Sequence, residues 1–500
     1  MLIAGLYLLV AIALVLRNGF FGLFSDEQIS RGRMAILLVL KACAIPLFYF
    51  VYTNYYGGFS QSDTGKFYND AKILNNCAYK HTAVFVRTLF GFDTGNSIAT
   101  EEHNYCLAQT QNWETGSAKK FFYNDNRIVI RVHSLLHFIA FDSWFVHAFF
   151  SCFLSFTGIF FLYRSVKEFF RDKESGVLLI LCFLPSLWFH TGALLKEGLL
   201  LFVLGNVVWL IHEAFRRKLS VAGYCWLFSL LFISVLLKPY FLITTVFCFL
   251  LLFALQSIPN IRFRSVYFLA AFVGGALLAN SLSIALKNKS LRTAAIAHQQ
   301  SFKGASGGGI YLSSDTVFLR LDFDTGLVQK VPGSAQRFRI KEGVPYMYWE
   351  DSHNSDTLYK LSNTDTSTIY DLAFMTPPAN SDLEMIGIGG RPVKAIIQAL
   401  YNTLFFPFFL NADSDLQMLA SMENLVLILV FIILIKGLFT SKRSRLVPVC
   451  FLCITLSVCL IVGLTVPNSG AIFRYRAPAI VFLLLAGLYY FVRPALPQRK

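Results

Sequence analysis

Four short segments of this sequence concentrate the side chains able to do chemistry. In SLWFHTGALLKE, residues 186–197, His190, Lys196 and Glu197 lie between two long apolar runs. Their charges therefore fall at or just inside a bilayer edge, and a charge at a helix centre costs roughly 2.5–3.5 kcal/mol on insertion scales. A Lys ammonium partners phosphate as a point charge. Glu197 either holds Lys196 in place or supplies a second carboxylate; a pair that merely neutralises itself is the plainer reading. Lys238-Pro239-Tyr240 forms the tip of the next apolar hairpin, where a Lys either meets an anion or snorkels to the interface. In NSGAIFRYR, residues 468–476, Arg474 and Arg476 flank Tyr475. Two guanidinium forks so spaced suit a pyrophosphate, with lipid head-group contact as the simpler role. In QSDTGKFYNDAKIL, Asp63 opens a helical pattern containing Tyr68 and Asp70. A carboxylate there suits a general base on an acceptor hydroxyl, a ligand for a divalent cation or a helix N-cap. His133 and His137 have the spacing of two metal ligands on one helix face, but no third ligand accompanies them, and no metal is assigned. Gly307-Gly308-Gly309 lacks the Lys-Ser/Thr of a phosphate-binding loop.

The elements that must position these groups are transmembrane helices. Of the 500 residues, 55% are hydrophobic and only 15% charged, against about 25% charged in soluble domains, and the mean hydropathy is +0.56. The net charge of +15 reports basic loops on one membrane side and gives no ground for a nucleic-acid partner. Apolar windows long enough to span fall near 2–16, 34–54, 136–163, 176–192, 195–213, 221–237, 239–257, 265–286, 422–438, 446–465 and 477–493. The first has neither a charged n-region nor a cleavage site and reads as a retained helix. A shorter run at 395–410, with Asn402 and Pro407, reads as interfacial or re-entrant.

Basic residues mark one set of loops: Arg17, Arg31 and Arg33; Arg164 to Lys173; Arg216 to Lys218; Arg262 and Arg264; Lys442 to Arg445; and Arg493 to Lys500. By the positive-inside rule these are cytoplasmic, with the N-terminus outside. The expected fold is an all-α integral membrane protein of about eleven spans plus an interfacial helix. Its expected segments are 1–54, an outer loop 55–135, a membrane core 136–286, a second outer loop 287–394, the segment 395–421, and C-terminal helices 422–500. Cys77 and Cys106 share the first outer loop, so an oxidising compartment permits a disulfide between them; two free thiols are the alternative. In the second loop, Thr316–Phe323 and Ala335–Ile340 alternate in hydropathy and read as short hairpins. Lys41 and Asp142 are expected inside membrane helices with no evident partner.

All four segments fall on the outer side. An acid, several Lys and two Arg gathered there suit the anionic head group of a lipid-linked sugar. At these residues the chain resembles multi-spanning envelope glycosyltransferases of the GT-C type, which take sugars from polyprenyl-phosphate carriers. The resemblance rests on Asp63, Tyr68 and Ala71 in the first outer loop. PSLWFHTGALLKEGLLLF is also similar to membrane proteins of bacterial exopolysaccharide clusters, and NSGAIFRYRAP to the ends of polysaccharide polymerases. The quoted motifs cover a small part of the chain; an extra helix precedes the Asp63 loop, and no Asp-Glu pair stands there. The resemblance implies sugar transfer to a glycan or lipid acceptor at the outer face of a bacterial inner membrane. Asp63 would be the base, Glu197 a second catalytic carboxylate, and Tyr68, His190, Lys196, Lys238, Arg474 and Arg476 would bind substrate. A polymerase or ligase using a lipid-pyrophosphate donor, and a flippase of lipid-linked glycans, are the alternatives.

Overall fold

The computed structural model describes all residues except 19–23, 55–57, 60–61, 92–105, 108–109, 114–124, 171, 260, 288–289, 307, 314–317, 322–323, 335–336, 342–344, 350–357, 361–367, 377–382, 384–385, 388–390, 413 and 492–500. Arg171, Gly307 and the basic residues from Arg493 onward thus lie outside the described residues. The chain divides into two compact units: residues 1–59, 142–299 and 383–500 form the first, and 60–141 with 300–382 the second.

The first unit is helical. In chain order it begins with α1 (Leu2–Asn18), α2 (Arg31–Ala42) and α3 (Ala44–Asn54). The second unit supplies α4 (Asp63–Lys80), α5 (Thr82–Phe90) and α6 (Asp125–Ala140). The chain then returns to the first unit with α7 (Trp144–Val166), α8 (Glu174–Phe183), α9 (Pro185–His190), α10 (Lys196–Arg216), α11 (Val221–Leu237), α12 (Pro239–Ser257) and α13 (Arg264–Lys287). After α14 (Leu291–Ser306) come seven strands, and then α15 (Pro392–Leu404), α16 (Asp415–Thr440), α17 (Leu446–Thr465) and α18 (Ser469–Phe491). Among the described residues, eight helical stretches are long and apolar enough to cross a membrane: the α2–α3 pair, α7 with the short turn after it, α10, α12, α13, α16, α17 and α18. Three shorter apolar helices, α1, α8 and α11, accompany them. The protein is a multi-pass membrane protein.

Three expected windows are interrupted, each for a local reason. Pro46 lies at the third position of α3, where it cannot donate and its ring crowds the Ala42 carbonyl; the 34–54 window accordingly breaks at Cys43. Pro185 forces Leu184 into an extended conformation, ψ 119°, which ends α8 and starts α9. The 136–163 window is two helices, because Phe141 and Asp142 both adopt positive φ, 50° and 52°. Asp142 is therefore exposed at a helix break rather than inside a span.

α7 and α10 pack closely through glycine. A Cβ on Gly205 would sit 1.8 Å from the Gly158 carbonyl oxygen, and one on Gly158 would sit 2.1 Å from that of Leu201. Gly198 meets the Ser151 carbonyl in the same way, at 2.7 Å. Small residues that let backbones touch are the usual basis of helix association in lipid. This contact fixes the first turn of α10, where Lys196 and Glu197 lie.

The second unit combines a helical layer with a sheet. α4 pairs with α6: Asn75 Nδ2 donates to the Ser134 carbonyl at 2.9 Å, and the Tyr68 and His137 rings meet at 5.1 Å. Cys77 and Cys106 are joined by a disulfide. The strands are β1 (Gly309–Ser313), β2 (Phe318–Leu321), β3 (Val328–Lys330), β4 (Arg337–Ile340), β5 (Pro345–Trp349), β6 (Leu358–Lys360) and β7 (Tyr370–Thr376). They form one seven-stranded sheet in the order β3-β4-β7-β1-β2-β5-β6. All neighbours are antiparallel, with Ile310 opposite Leu321. Ile310, Leu312, Leu319, Leu321, Val328 and Ile340 form its apolar face, as period-two alternation dictates. The expected short hairpins are present as the β1–β2 and β3–β4 pairs. β2 and β4 fall within the expected runs, but both are built into a larger sheet in which β7 joins β4 to β1. The β3–β4 turn uses Gly333 at φ +83°, a conformation that suits glycine.

Candidate functional site

The site is built in the first unit, at the starts of α10, α12 and α18. Lys238 is held in the tight connection between α11 and α12, with Pro239 opening α12. Its Nζ lies 3.2 Å from Glu197 Oε1. Arg474, in the second turn of α18, places Nε 3.0 Å from that same oxygen. Glu197 is fully buried, with Lys238 and Arg474 only 6% and 7% exposed. Two cations thus share one carboxylate oxygen, while Glu197 Oε2 is buried without a hydrogen-bond partner among the described residues. Tyr475 completes the group: Lys238 Nζ stands 3.8 Å from its ring centroid, and the Arg474 guanidinium 5.6 Å, cation–π distances on a desolvated ring.

The sequence brings Lys196 and Glu197 together, but the structure does not pair them with each other. Adjacent helical residues diverge by about 100°, so Glu197 turns towards Lys238 and Arg474. The same geometry separates Arg474 from Arg476. Both lie on α18, which begins at Ser469, and a two-residue step rotates a helix by about 200°. The expected two-fork grip on one pyrophosphate is therefore not formed. Arg476, fully buried, points into a second network. It donates to the Thr403 carbonyl and to Asn424 Oδ1, both at 2.5 Å, and lies 3.5 Å from Glu423 Oε1. Glu423 in turn accepts from the Ser186 backbone N–H and hydroxyl, both at 2.9 Å.

That second network fixes the tip at residues 184–195. Ser186 ties α9 to Glu423, and His190 Nδ1 lies 2.7 Å from the Ser186 carbonyl. Lys41 is fully buried on α2, and its Nζ donates to Thr191 Oγ1 at 2.8 Å. Trp188 Nε1 donates to the Leu40 carbonyl at 3.1 Å. Gly192 packs against Ala44, which would stand 2.6 Å from an added Cβ. Lys41 thus has a partner that lies 150 residues away in the chain. Glu423 and Asn424 are the site residues that sequence reasoning missed. Their signal was an acid at the head of an apolar run, the same signal that marks Glu197.

Asp63 and Tyr68 lie in the second unit. Ser62, not Asp63, caps α4, its hydroxyl accepting from the Gly65 N–H at 3.3 Å. Asp63 is the first helical residue and is exposed, so it sits favourably at the positive end of the helix dipole. Tyr68 is half-buried, and its carbonyl is 3.4 Å from His137 Nε2. Asp70, two turns further along, is the buried acid of α4. It accepts from the backbone N–H groups of Gln111 at 2.9 Å and Asn112 at 2.7 Å. Burial outweighs those donors and pushes its carboxyl up to about 6.

Compared with family models, with curated proteins and with solved structures, the chain matches none. Its class is defined by its own architecture: a multi-pass membrane protein carrying a buried Glu–Lys–Arg cluster.

Proposed function

We propose that this protein transfers a sugar from a polyprenyl-phosphate donor to a glycan or lipid acceptor at the outer face of a bacterial inner membrane. The observation that carries the reading is the convergence of Lys238 and Arg474 on Glu197 Oε1. A carboxylate that pins two cations at helix ends holds them in place before an anion arrives, and preorganised cations stabilise charge as it develops on a phosphate leaving group. Lys196 and His190 flank the cluster and contact the donor. Arg476 supports the site through Glu423 and Ser186 rather than touching the donor. Asp63, exposed at the start of α4, is the general base for the acceptor hydroxyl. Eleven crossings follow if α1, α8 and α11 span with the eight longer stretches, while α15 stays interfacial; both outer stretches then face outward.

Purified protein tested with polyprenyl phosphate and with polyprenol decides the reading. Thermal stabilisation by the phosphate, absent with the alcohol and lost in Arg474→Gln, is expected. Asp63→Asn should keep that stabilisation and lose sugar transfer from a labelled donor. Equal stabilisation by the phosphate and the alcohol would refute the reading. For topology, an impermeant thiol reagent in intact cells should modify Ser334→Cys; protection of that cysteine would reverse the orientation.

A further inference from the structure

The geometry points to a crevice for one anionic phospholipid between α12 and α13, at the end of α12 opposite Lys238. A 640 Å³ cavity opens there, lined by Leu251, Leu255, Arg262, Phe263, Tyr267 and Ala271. That volume lies within the roughly 300–1,000 Å³ of small-ligand sites. Lys238 precedes α12 and Ile258 follows it. At 1.5 Å per residue, the crevice is therefore about a bilayer's thickness from the Glu197 cluster. It is a separate site and does not depend on the proposed sugar transfer.

Three features suit a phospholipid. Leu251, Leu255 and Ala271 give the crevice apolar walls on two membrane-spanning helices, with the connection between them at the rim, so an acyl chain is the matching occupant. α13 leaves large apolar side chains uncovered along its length, among them Val266, Val273 and Leu277. The rim is cationic. Arg262 is exposed at the mouth, while Arg264 anchors Nη2 on the Ile258 carbonyl at 2.9 Å. Arg264 Nε is buried without a hydrogen-bond partner among the described residues. No Asp or Glu occurs in the sequence between Glu213 and Asp315, so no neighbouring acid along the chain neutralises this rim. Phe263, between the two arginines, is held at φ +58°, a left-handed conformation uncommon for a bulky residue. The backbone thereby turns sharply at the rim, where the exposed Arg262 stands at the mouth; a head-group phosphate takes a guanidinium fork in bidentate fashion. Tyr267 adds an amphipathic ring at head-group level.

The test uses full-length protein in nanodiscs made from equal phosphatidylglycerol and phosphatidylcholine, with a photoactivatable phosphatidylglycerol as probe. The expected result is cross-linking to the peptide containing Tyr267, competed by phosphatidylglycerol but not by phosphatidylcholine or inorganic phosphate. Arg262→Gln and Arg264→Gln should each weaken labelling about fivefold, the order expected for one basic side chain near a membrane surface. Ala271→Trp fills the cavity without altering charge and should abolish labelling, which keeps the test decisive if an arginine variant fails to fold. Labelling that survives Ala271→Trp, or that phosphatidylcholine competes equally, overturns the proposal. Competition by inorganic phosphate would show a site that recognises free anions rather than a phospholipid head group, and would overturn it as well.

Discussion

Glu197→Gln keeps the size of the side chain and removes the charge shared by Lys238 and Arg474. At an effective permittivity of roughly 20, a unit charge pair at about 3 Å is worth about 5 kcal/mol before desolvation. Both pairs lie in that range, at 3.2 and 3.0 Å, with Glu197 fully buried. Several kcal/mol per ion oppose this gross attraction, and removing one partner of a buried pair costs about 3–5 kcal/mol because the other is left uncompensated. Here two cations are left, so Glu197→Gln should lie at the upper end of that range. Lys238→Gln should cost less, because Glu197 retains Arg474. In the double variant only one cation remains, facing a neutral amide. The two losses should then fall short of additivity, with a coupling of about 1.5 kcal/mol or more, the lower bound measured for close charge pairs. Denaturant unfolding in mixed micelles, followed by tryptophan fluorescence, measures the cycle. Additivity within about 0.5 kcal/mol, as seen for independent sites, would refute the argument that one carboxylate organises both cations.

Gly205→Leu should destabilise the protein by more than the roughly 1–3 kcal/mol of ordinary overpacking, because an added Cβ meets the Gly158 carbonyl at 1.8 Å; Gly274→Ala, with nothing within 4 Å, should be neutral or slightly stabilising, and thermal denaturation compares them. Cys77→Ser opens a loop closed across 29 residues and should cost about 3–4 kcal/mol on the chain-entropy account, read as faster proteolysis of the 60–141 segment. Asp70 has its folded carboxyl raised from 3.8 to about 6. Its contribution to stability is therefore fully present below pH 3.8 and is lost as pH rises through about 6, an effect of roughly 3 kcal/mol. Asp70→Asn should flatten that part of the stability profile, measured by denaturation between pH 4 and pH 7.

The membrane character and most helices are legible in the sequence because apolar runs of spanning length have few alternatives. The breaks at Cys43 and Leu184 were also written there, in Pro46 and Pro185, but hydropathy windows average over single prolines. The site was legible as a set of charges placed against the hydropathy pattern: Lys196, Glu197, Lys238 and Arg474. What could not be read was which charge meets which. Pairing depends on helix phase, and phase depends on where a helix starts. Once α18 begins at Ser469, Arg474 and Arg476 must diverge. One partner of Arg476 is Asn424, 52 residues earlier, a distance no local pattern encodes. The sheet is only partly legible for a related reason. Local alternation marks a strand, whereas the place of β7 between β4 and β1 is set by long-range pairing.

The shared carboxylate also sets an order of events during synthesis. Glu197 enters the membrane 277 residues before Arg474 has been made, and chains grow at roughly 5–20 residues per second. For some tens of seconds α10 therefore carries its acid with Lys238 as the only member of the final pair of cations. Arg476 arrives with the same last helix, so Glu423 and the tip at Ser186 wait for it as well. The nascent protein can insert its early helices, but it locks its polar centre only when α18 joins. A ribosome stalled before residue 474 would hold a chain whose early spans are in place and whose site is still unmade.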